Sequence, residues 1–326
     1  MLSRVADSIY WMSRYIERAE NVARFIDVNL HLMLDLPLGS AEQWQPLVQT
    51  TGDLKVFEER YGKATKENVV AFLTFDTDNP NSILFCLRAA RENARTVREI
   101  ISSEMWEQTN KFYLMVREAA TDDRISDEPH ALFTEIKMAS HLFVGITDAT
   151  MSHGEGWHFG RVGRLLERAD KTSRILDVKY FILLPAVTDV GTPFDDIQWA
   201  AVLKSASAFE MYRKRFGRLT PEHVADFLIL DREFPRAMHY CVVKTEESLH
   251  AISGAPLGTF QNLAEQRLGR LRSELDYAQI QEIINGGLHE FLDAFQAKLN
   301  HVGAAIFSTF FALRPVVSPP AHTPES

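Results

Sequence analysis

Hydrophobic residues recur at three- to four-residue spacing along most of the chain, which is the pattern of amphipathic α-helices. No sustained two-residue alternation interrupts it, so we expect an all-α fold built as a helical bundle. Ser3 is the predicted N-cap of a first helix that runs from about residue 4 into the thirties and ends at the segment 36–40. Further helices are predicted at 43–51, 53–61, 65–75, 82–101, from 103 onward and at 133–150, with turns at 76–81 and 122–129.

One helical stretch occurs twice. Residues 14–28, RYIERAENVARFIDV, and residues 164–178, RLLERADKTSRILDV, align without a gap and are identical at seven of fifteen positions. An offset of 155 residues matches further positions, which include Trp44 with Trp199 and Arg60 with Arg215. We interpret the chain as two tandem pseudo-repeats related by an approximate two-fold axis.

The duplication predicts the domain boundaries. We expect a first repeat over residues 1–150 and a second over 151–313, the two forming one compact unit. The second copy is predicted to carry a longer loop at 185–196. The proline-rich tail, 314–326, is expected to be disordered.

The repeated stretch carries a stripe of charges on one helix face. The spacing of i, i+3 and i+4 places these side chains together, and large apolar residues flank the stripe, which indicates that it is enclosed. Two interpretations remain open: a structural ion network, or a pocket in which guanidinium groups hold a carboxylate or phosphate. The candidate residues of this central motif are Arg14, Glu17, Arg18, Arg164, Glu167 and Arg168.

Small residues indicate where the two charged helices meet. Ser13 and its counterpart Gly163 are small, and Gly160 lies one turn before Gly163. We therefore expect the two helices to approach closely and to cross near the axis. The secondary candidates for charges at the centre are Arg88, Arg91, Glu92 and Glu247, although these side chains could equally pair with exposed neighbours.

Composition narrows the function classes. The chain has 326 residues, of which 46% are hydrophobic, and a net charge of -9, so we expect no nucleic-acid binding and no attachment to an anionic membrane surface. No apolar run is long enough to span a bilayer, and we predict a cytoplasmic protein. The two cysteines, Cys86 and Cys241, lie in apolar helical contexts and are predicted to be buried rather than bonded to each other or to a metal.

The segment 151–164, MSHGEGWHFGRVGR, is the other candidate for chemistry. Its glycines and arginines could face an anion, but the spacing is neither the dinucleotide nor the P-loop pattern. His153, Glu155 and His158 lack the H-E-x-x-H spacing and a third evident ligand. We predict no metal and no cofactor, and the sequence shows no nucleophile motif.

Four blocks together resemble a known family. They are MLSRVADSIYWMSRYIERAEN, LRAARENAR, SSEMWEQTN and GRLLERAD, and they are similar to those of the bacterial alpha-E proteins, all-helical domains with an E-R motif. The motif maps onto Glu17-Arg18 and Glu167-Arg168. The resemblance implies that a circularly permuted ATP-grasp protein is a partner, with possible contact with a transglutaminase-like protein. The pathway they share would make or process amide bonds.

Three functions are compatible with these features. The leading hypothesis is a non-catalytic accessory protein that binds an ATP-grasp amide ligase or the ligase's peptide-like substrate. The alternative is an enzyme of the same pathway, in which the arginines clamp a carboxylate or phosphate and Glu17 or Glu167 acts as general acid or base. The third is a purely structural scaffold. Whether the protein is an enzyme stays open at this stage.

Overall fold

The computed structural model describes residues 1–35, 44–122, 125, 128–181 and 193–312. Every regular element in these ranges is helical, so the expected all-α class is confirmed. The first half contains α1 (Ser3–Asp35), α2 (Gln45–Thr51), α3 (Leu54–Tyr61), α4 (Lys66–Thr74), α5 (Ile83–Thr96), α6 (Ser103–Thr121) and α7 (Pro129–Thr150). The second half contains α8 (Glu155–Phe181), α9 (Pro193–Ser205), α10 (Phe209–Phe216), α11 (Pro221–Leu230), α12 (Met238–Ser253), α13 (Leu263–Tyr277), α14 (Ile280–Gly286), α15 (Leu288–Ile306) and a final π-helical turn, Phe307–Phe311.

The two longest helices, α1 and α8, pack against each other at the centre of the molecule. Each also begins a ring of four helices. In the first half α1 packs on α5, α5 on α6, α6 on α7, and α7 returns to α1. In the second half α8 packs on α12, α12 on α13, α13 on α15, and α15 returns to α8. The fold therefore places the charged face of each long helix where two four-helix groups meet.

Glycines allow the central crossing. A Cβ atom added to Gly163 would lie 2.3 Å from the carbonyl oxygen of Tyr10, so only glycine fits between these backbones. A Cβ on Gly160 would lie 3.1 Å from the Oγ of Ser13. The predicted close approach at Gly160 and Gly163 is what the structure shows.

Two of the three predicted N-caps are confirmed. Ser3 is instead the first residue of α1, because the carbonyl oxygen of Leu2 accepts from the backbone N-H groups of Val5 and Ala6. Thr65 and Ser82 accept hydrogen bonds from the backbone N-H groups three residues ahead, as their predicted role requires. The prediction of a helix through residue 101 was wrong, because α5 ends at Thr96. Val97 leaves the helical conformation, and Ser102 caps the next helix. The β-branched side chains at 96, 97, 100 and 101 weaken the helix at that end.

Several contacts recur 155 residues apart. Arg60 forms an ion pair with Asp76, and Arg215 forms the corresponding pair with Asp231. Both cysteines are buried and free, and each thiol lies 3.5 Å from the carbonyl oxygen of a proline six residues earlier. Burial raises the pKa of each thiol to about 12.

Two predicted segments fall largely outside the described residues. The tail, 314–326, lies outside them entirely. So does most of the loop predicted at 185–196, although α9 already begins at Pro193. In the part of the chain that the structure describes, no helix is both long enough and apolar enough to cross a membrane.

Candidate functional site

Glu167 lies fully buried on α8 and is bound by two arginines of α1. Arg18 donates from Nε to Oε1 at 2.7 Å and from Nη2 to Oε2 at 3.2 Å. Arg14 donates from Nε to Oε2 at 2.8 Å. The ammonium group of Lys171 lies 3.6 Å from Oε1. The carboxylate is therefore surrounded by cations, as a buried charge must be.

Glu17, on α1, has the matching environment. Arg168 of α8 donates from both Nε and Nη2 to the two carboxylate oxygens of Glu17 at 2.8 Å, which is a bidentate pair. Arg236, just before α12, donates to Oε1 at 3.1 Å, and Asn21 donates to the same oxygen at 2.9 Å. The glutamate of each E-R dipeptide is thus held by the arginine of the other.

The protonation state of both glutamates follows from these contacts. Burial alone would raise the pKa of Glu167, but Arg18, Arg14 and Lys171 outweigh it and hold that pKa well below its usual range. Burial likewise opposes ionisation of Glu17, and Arg168 with Arg236 nonetheless lowers its pKa. Neither side chain is set up to donate a proton near neutral pH.

Sequence reasoning missed several members of this network, among them Glu20 and Arg236. Glu20 is buried, and it pairs with Arg236 and Arg24 and accepts a hydrogen bond from Ser140 at 2.6 Å. Arg236 was missed because its counterpart at an offset of 155 is Asn81, so the position does not repeat a charge. Asn81 nevertheless accepts from Arg18 at 3.1 Å, so both positions contact the central arginines or glutamates.

Arg164, the counterpart of Arg14, does not join the glutamates in the same way. Its Nε is buried and has no hydrogen-bond partner among the described residues. Burial, with the neighbouring charge of Arg168, lowers the pKa of this guanidinium. Five of the six predicted central residues therefore meet in direct ion pairs, and Arg164 lies beside them.

The secondary candidates form local contacts instead. Arg91 donates to Asn110 at 2.7 Å and pairs with Glu92 at 3.0 Å. Arg88 donates to a backbone carbonyl. Glu247 pairs with a lysine one turn earlier on its own helix, and its other carboxylate oxygen lies 3.7 Å from Nη2 of Arg161 on α8. None of these contacts reaches Glu17 or Glu167. These four residues therefore pair with other neighbours, which is the alternative that the sequence left open.

The histidine segment before α8 also forms local contacts. The rings of His153 and Trp157 stack with centres 4.2 Å apart. Within the described part of the chain, His153, Glu155 and His158 do not come together as a three-ligand cluster.

A cavity opens beside the Glu167 half of the network, between α1, α8 and α15. Its volume is about 440 Å³. The lining includes four cations and one carboxylate, and aromatic rings cover another side. The charged lining residues are Arg14, Arg18, Lys171, Arg174 and Asp170, and the aromatic ones are Tyr10, Trp11, Phe307 and Phe311.

The cavity carries an excess of positive charge. Asp170 pairs with Arg174 at 2.9 Å and with Lys171 at 3.3 Å. Glu167 pairs with the two arginines of α1. Four cations thus face two carboxylates, which leaves two positive charges unneutralised. Burial opposes ionisation of Asp170, but Lys171 and Arg174 lower its pKa, so this acid also stays charged. Such a lining can hold an anion.

Comparison with known proteins places these features in a family. A family model described as a predicted alpha-helical domain with a conserved ER motif matches residues 1–311. The chain belongs to the Alpha-E family. In this Alpha-E protein, the E-R dipeptides of the repeated stretch are Glu17-Arg18 and Glu167-Arg168, which form the reciprocal ion pairs.

The relatives carry no functional description. Uncharacterised proteins of Mycobacterium bovis and of two strains of Mycobacterium tuberculosis are 22% identical to this chain over 334 aligned positions. The alignment covers 95% of this chain but only 37% of each relative, so the chain spans little more than a third of their length. No solved structure matches it.

Proposed function

We propose that this Alpha-E protein is a non-catalytic binding protein that takes a small ligand with a carboxylate or phosphate group into the cavity between α1, α8 and α15. The observation that carries the proposal is the excess of two positive charges that remains on that lining when Asp170 and the adjacent Glu167 are both counted. Lys171 is the side chain that can turn toward a ligand, because its ion pairs with Asp170 and Glu167 are 3.3 and 3.6 Å long, whereas Arg14, Arg18 and Arg174 donate hydrogen bonds to these carboxylates.

The shape and the aromatic lining describe the rest of the ligand. A volume of about 440 Å³ lies within the range of sites for small organic molecules. The guanidinium of Arg14 lies 4.8 Å from the ring centre of Trp11, so a cation and an aromatic surface are adjacent. A peptide-like acid with an apolar or aromatic side chain would match the cation through its carboxylate and the aromatic surface through its side chain.

Binding fits the charges better than acid-base catalysis does. A general acid needs a pKa near the working pH, whereas the pKa values of Glu17, Glu167 and Asp170 are all lowered. Asp170 is also the one carboxylate among the described lining residues. The enzyme alternative, which assigned proton transfer to Glu17 or Glu167, has less support than ligand binding.

The cellular setting is proposed from the family resemblance. We propose that the ligand is the peptide-like substrate of a circularly permuted ATP-grasp amide ligase, that this ligase is a partner, and that a transglutaminase-like protein acts in the same cytoplasmic pathway. Co-expression of the chain with the ligase, followed by affinity purification, tests the partnership. Absence of the ligase from the purified fraction would contradict it.

We also propose that the two halves, 1–150 and 151–313, are copies of one helical unit related by an approximate two-fold axis. The support is the reciprocal pairing of Glu17 with Arg168 and of Glu167 with Arg18. A two-fold relation requires such an exchange of partners. The similar order of packing around α1 and α8 adds to it.

Titration of the full chain with defined probes tests the binding proposal. The probes are a dipeptide that ends in phenylalanine, its C-terminal amide and inorganic phosphate. The readouts are calorimetry and the tryptophan fluorescence of the chain, to which Trp11 in the cavity lining contributes. We expect the acid to bind and the amide, which lacks the negative charge, to bind at least about tenfold more weakly. Equal binding of acid and amide, or no binding of any probe, would contradict the proposal.

Two variants test separately the positive charge of the cavity lining and the free volume of the cavity. Lys171→Gln removes a cation and should weaken binding of the dipeptide acid about 10- to 100-fold, which is the range for loss of a charge-assisted hydrogen bond. Gly303→Leu should fill the cavity, because a Cβ there has its nearest neighbours at 3.9 and 4.0 Å, on Arg14 and Tyr10. The matched control is Gly145→Leu, at an exposed helical glycine with nothing within 4 Å of the added Cβ.

A further inference from the structure

A second cluster of ionisable side chains lies at the far end of α1 from the glycine crossing. Asp27 and His31 are one turn apart on α1, and His130 lies in the first turn of α7. The Oδ1 atom of Asp27 is 2.8 Å from Nδ1 of His130 and 3.7 Å from Nδ1 of His31. One ligand atom from each residue lies within 4.8 Å of the other two.

Two imidazoles and one carboxylate are a donor set that divalent transition ions take. Ligands held at 2.0–2.1 Å in tetrahedral geometry lie about 3.3 Å from one another. The observed separations of 2.8 and 3.7 Å from Oδ1 fall on either side of that value, so small side-chain rotations suffice. His31 would give up its present contact with the carbonyl oxygen of Asp27, at 2.9 Å.

The surroundings orient the carboxylate for this role. Lys137 lies 2.6 Å from Oδ2 of Asp27, which leaves Oδ1 turned to the histidines. Asp27 itself is buried, whereas the side chains of His31 and His130 are 58% and 39% exposed. An ion from solvent can therefore reach a carboxylate that is already held in place by a second group.

The second half of the chain supplies an internal comparison. Asp177, the counterpart of Asp27, lies 2.7 Å from Nδ1 of His289 on α15, so the aspartate-histidine pair is present there too. The position that corresponds to His31 is Phe181, which has no ligand atom. The first half thus has a third donor at a position where the second half has a phenylalanine.

A cavity of about 400 Å³ lies next to the cluster. Its lining includes Leu30 and Pro129, the chain neighbours of His31 and His130. Val70 and Phe75 of the first half complete part of an apolar wall. An ion bound by three protein ligands would have a coordination position left for water.

We propose that Asp27, His31 and His130 form a binding site for a divalent transition ion of the zinc class, with three protein ligands and an open position. The site is separate from the anion cavity and stands whether or not that cavity binds a ligand.

The test uses the full chain, freed of any histidine tag and treated with a chelator. ZnCl₂ is titrated by calorimetry, and Co²⁺ is added in parallel to follow the absorption bands of tetrahedral coordination. We expect one tight site in the unaltered protein. His31→Ala should weaken zinc binding by at least about 100-fold, since loss of a hydrogen-bond partner of a metal ligand by itself weakens metal binding 10- to 100-fold. This variant should stay folded, because His31 is largely exposed.

The matched control is His289→Ala, which breaks the aspartate-histidine pair of the second half and should leave zinc binding unchanged. Thermal denaturation gives a second readout, since zinc should raise the melting temperature of the unaltered protein and of His289→Ala but not of His31→Ala. No zinc binding by the unaltered protein would overturn the proposal. Equal weakening by His31→Ala and His289→Ala would also overturn it.

Discussion

Arg18 donates hydrogen bonds to both carboxylate oxygens of Glu167, a residue 149 positions later in the chain. Arg168 makes the corresponding bidentate contact with Glu17, so the central helices α1 and α8 are joined by two exchanged ion pairs. These glutamates are buried, and a buried charge is tolerated only with its partners in place. The network therefore makes the packing of the two halves depend on specific charges.

The first prediction concerns the central glutamates. Glu167→Gln leaves Arg14 and Arg18 without their counter-charge, and we expect a loss of about 3–5 kcal/mol in the free energy of unfolding. Urea denaturation measures it. Glu92→Gln is the control, since that half-exposed side chain pairs with Arg91 and Arg95 on its own helix and should lose less than about 1 kcal/mol. Similar losses in the two variants would contradict the network's role.

The second prediction concerns the helix crossing. Gly163→Ala should destabilise the fold, because the new Cβ would lie 2.3 Å from a backbone oxygen of Tyr10 and the helices would have to separate. Gly145→Ala, where the added Cβ meets nothing within 4 Å, should be neutral or stabilising by about 0.5–1 kcal/mol. Melting temperatures compare the two. A Gly163→Ala protein as stable as Gly145→Ala would show that the crossing tolerates a side chain.

The third prediction concerns acid. The pKa values of Glu17, Glu20 and Glu167 in the folded protein lie below the ordinary value of 4.5, so the unfolded chain takes up protons first as the pH falls. Their contribution to stability is present above about pH 4.5 and is lost as the pH falls from there through the folded pKa values. Urea midpoints between pH 7 and pH 3 should show this decline. The decline should be shallower in Glu167→Gln, and an identical slope would contradict the assignment.

The fourth prediction contrasts two arginines at matching positions of the repeat. Arg164→Met should be neutral or stabilising, since the buried Nε of Arg164 has no hydrogen-bond partner among the described residues. Arg14→Met should destabilise, because Arg14 holds Glu167. Urea denaturation of both variants decides the matter. A larger loss for Arg164→Met would show that its charge stabilises the fold in a way that its contacts do not reveal.

Part of the candidate site could be predicted from the repeated stretch alone. The spacing placed Arg14, Glu17 and Arg18 on one face, and the flanking apolar residues indicated enclosure. Arg236 was not predictable, because it lies in the turn before α12 and reaches Glu17 only through the packing of α12 on α8. The excess charge of the cavity was equally hidden, since it depends on how α15 covers Lys171.

The sequence by itself determined the helical class, the caps at Thr65 and Ser82 and the two charged faces, because helical periodicity and capping act over a few residues. It did not determine where α5 ends, since Val97 and Ile101 continue the helical spacing of apolar residues past Thr96, where the helix stops. Only the tertiary structure decided which charges pair, which cations face the cavity, and that His130 meets Asp27 across 103 positions. Such contacts depend on the crossing and register of packed helices, which are set by the whole core rather than by any local pattern.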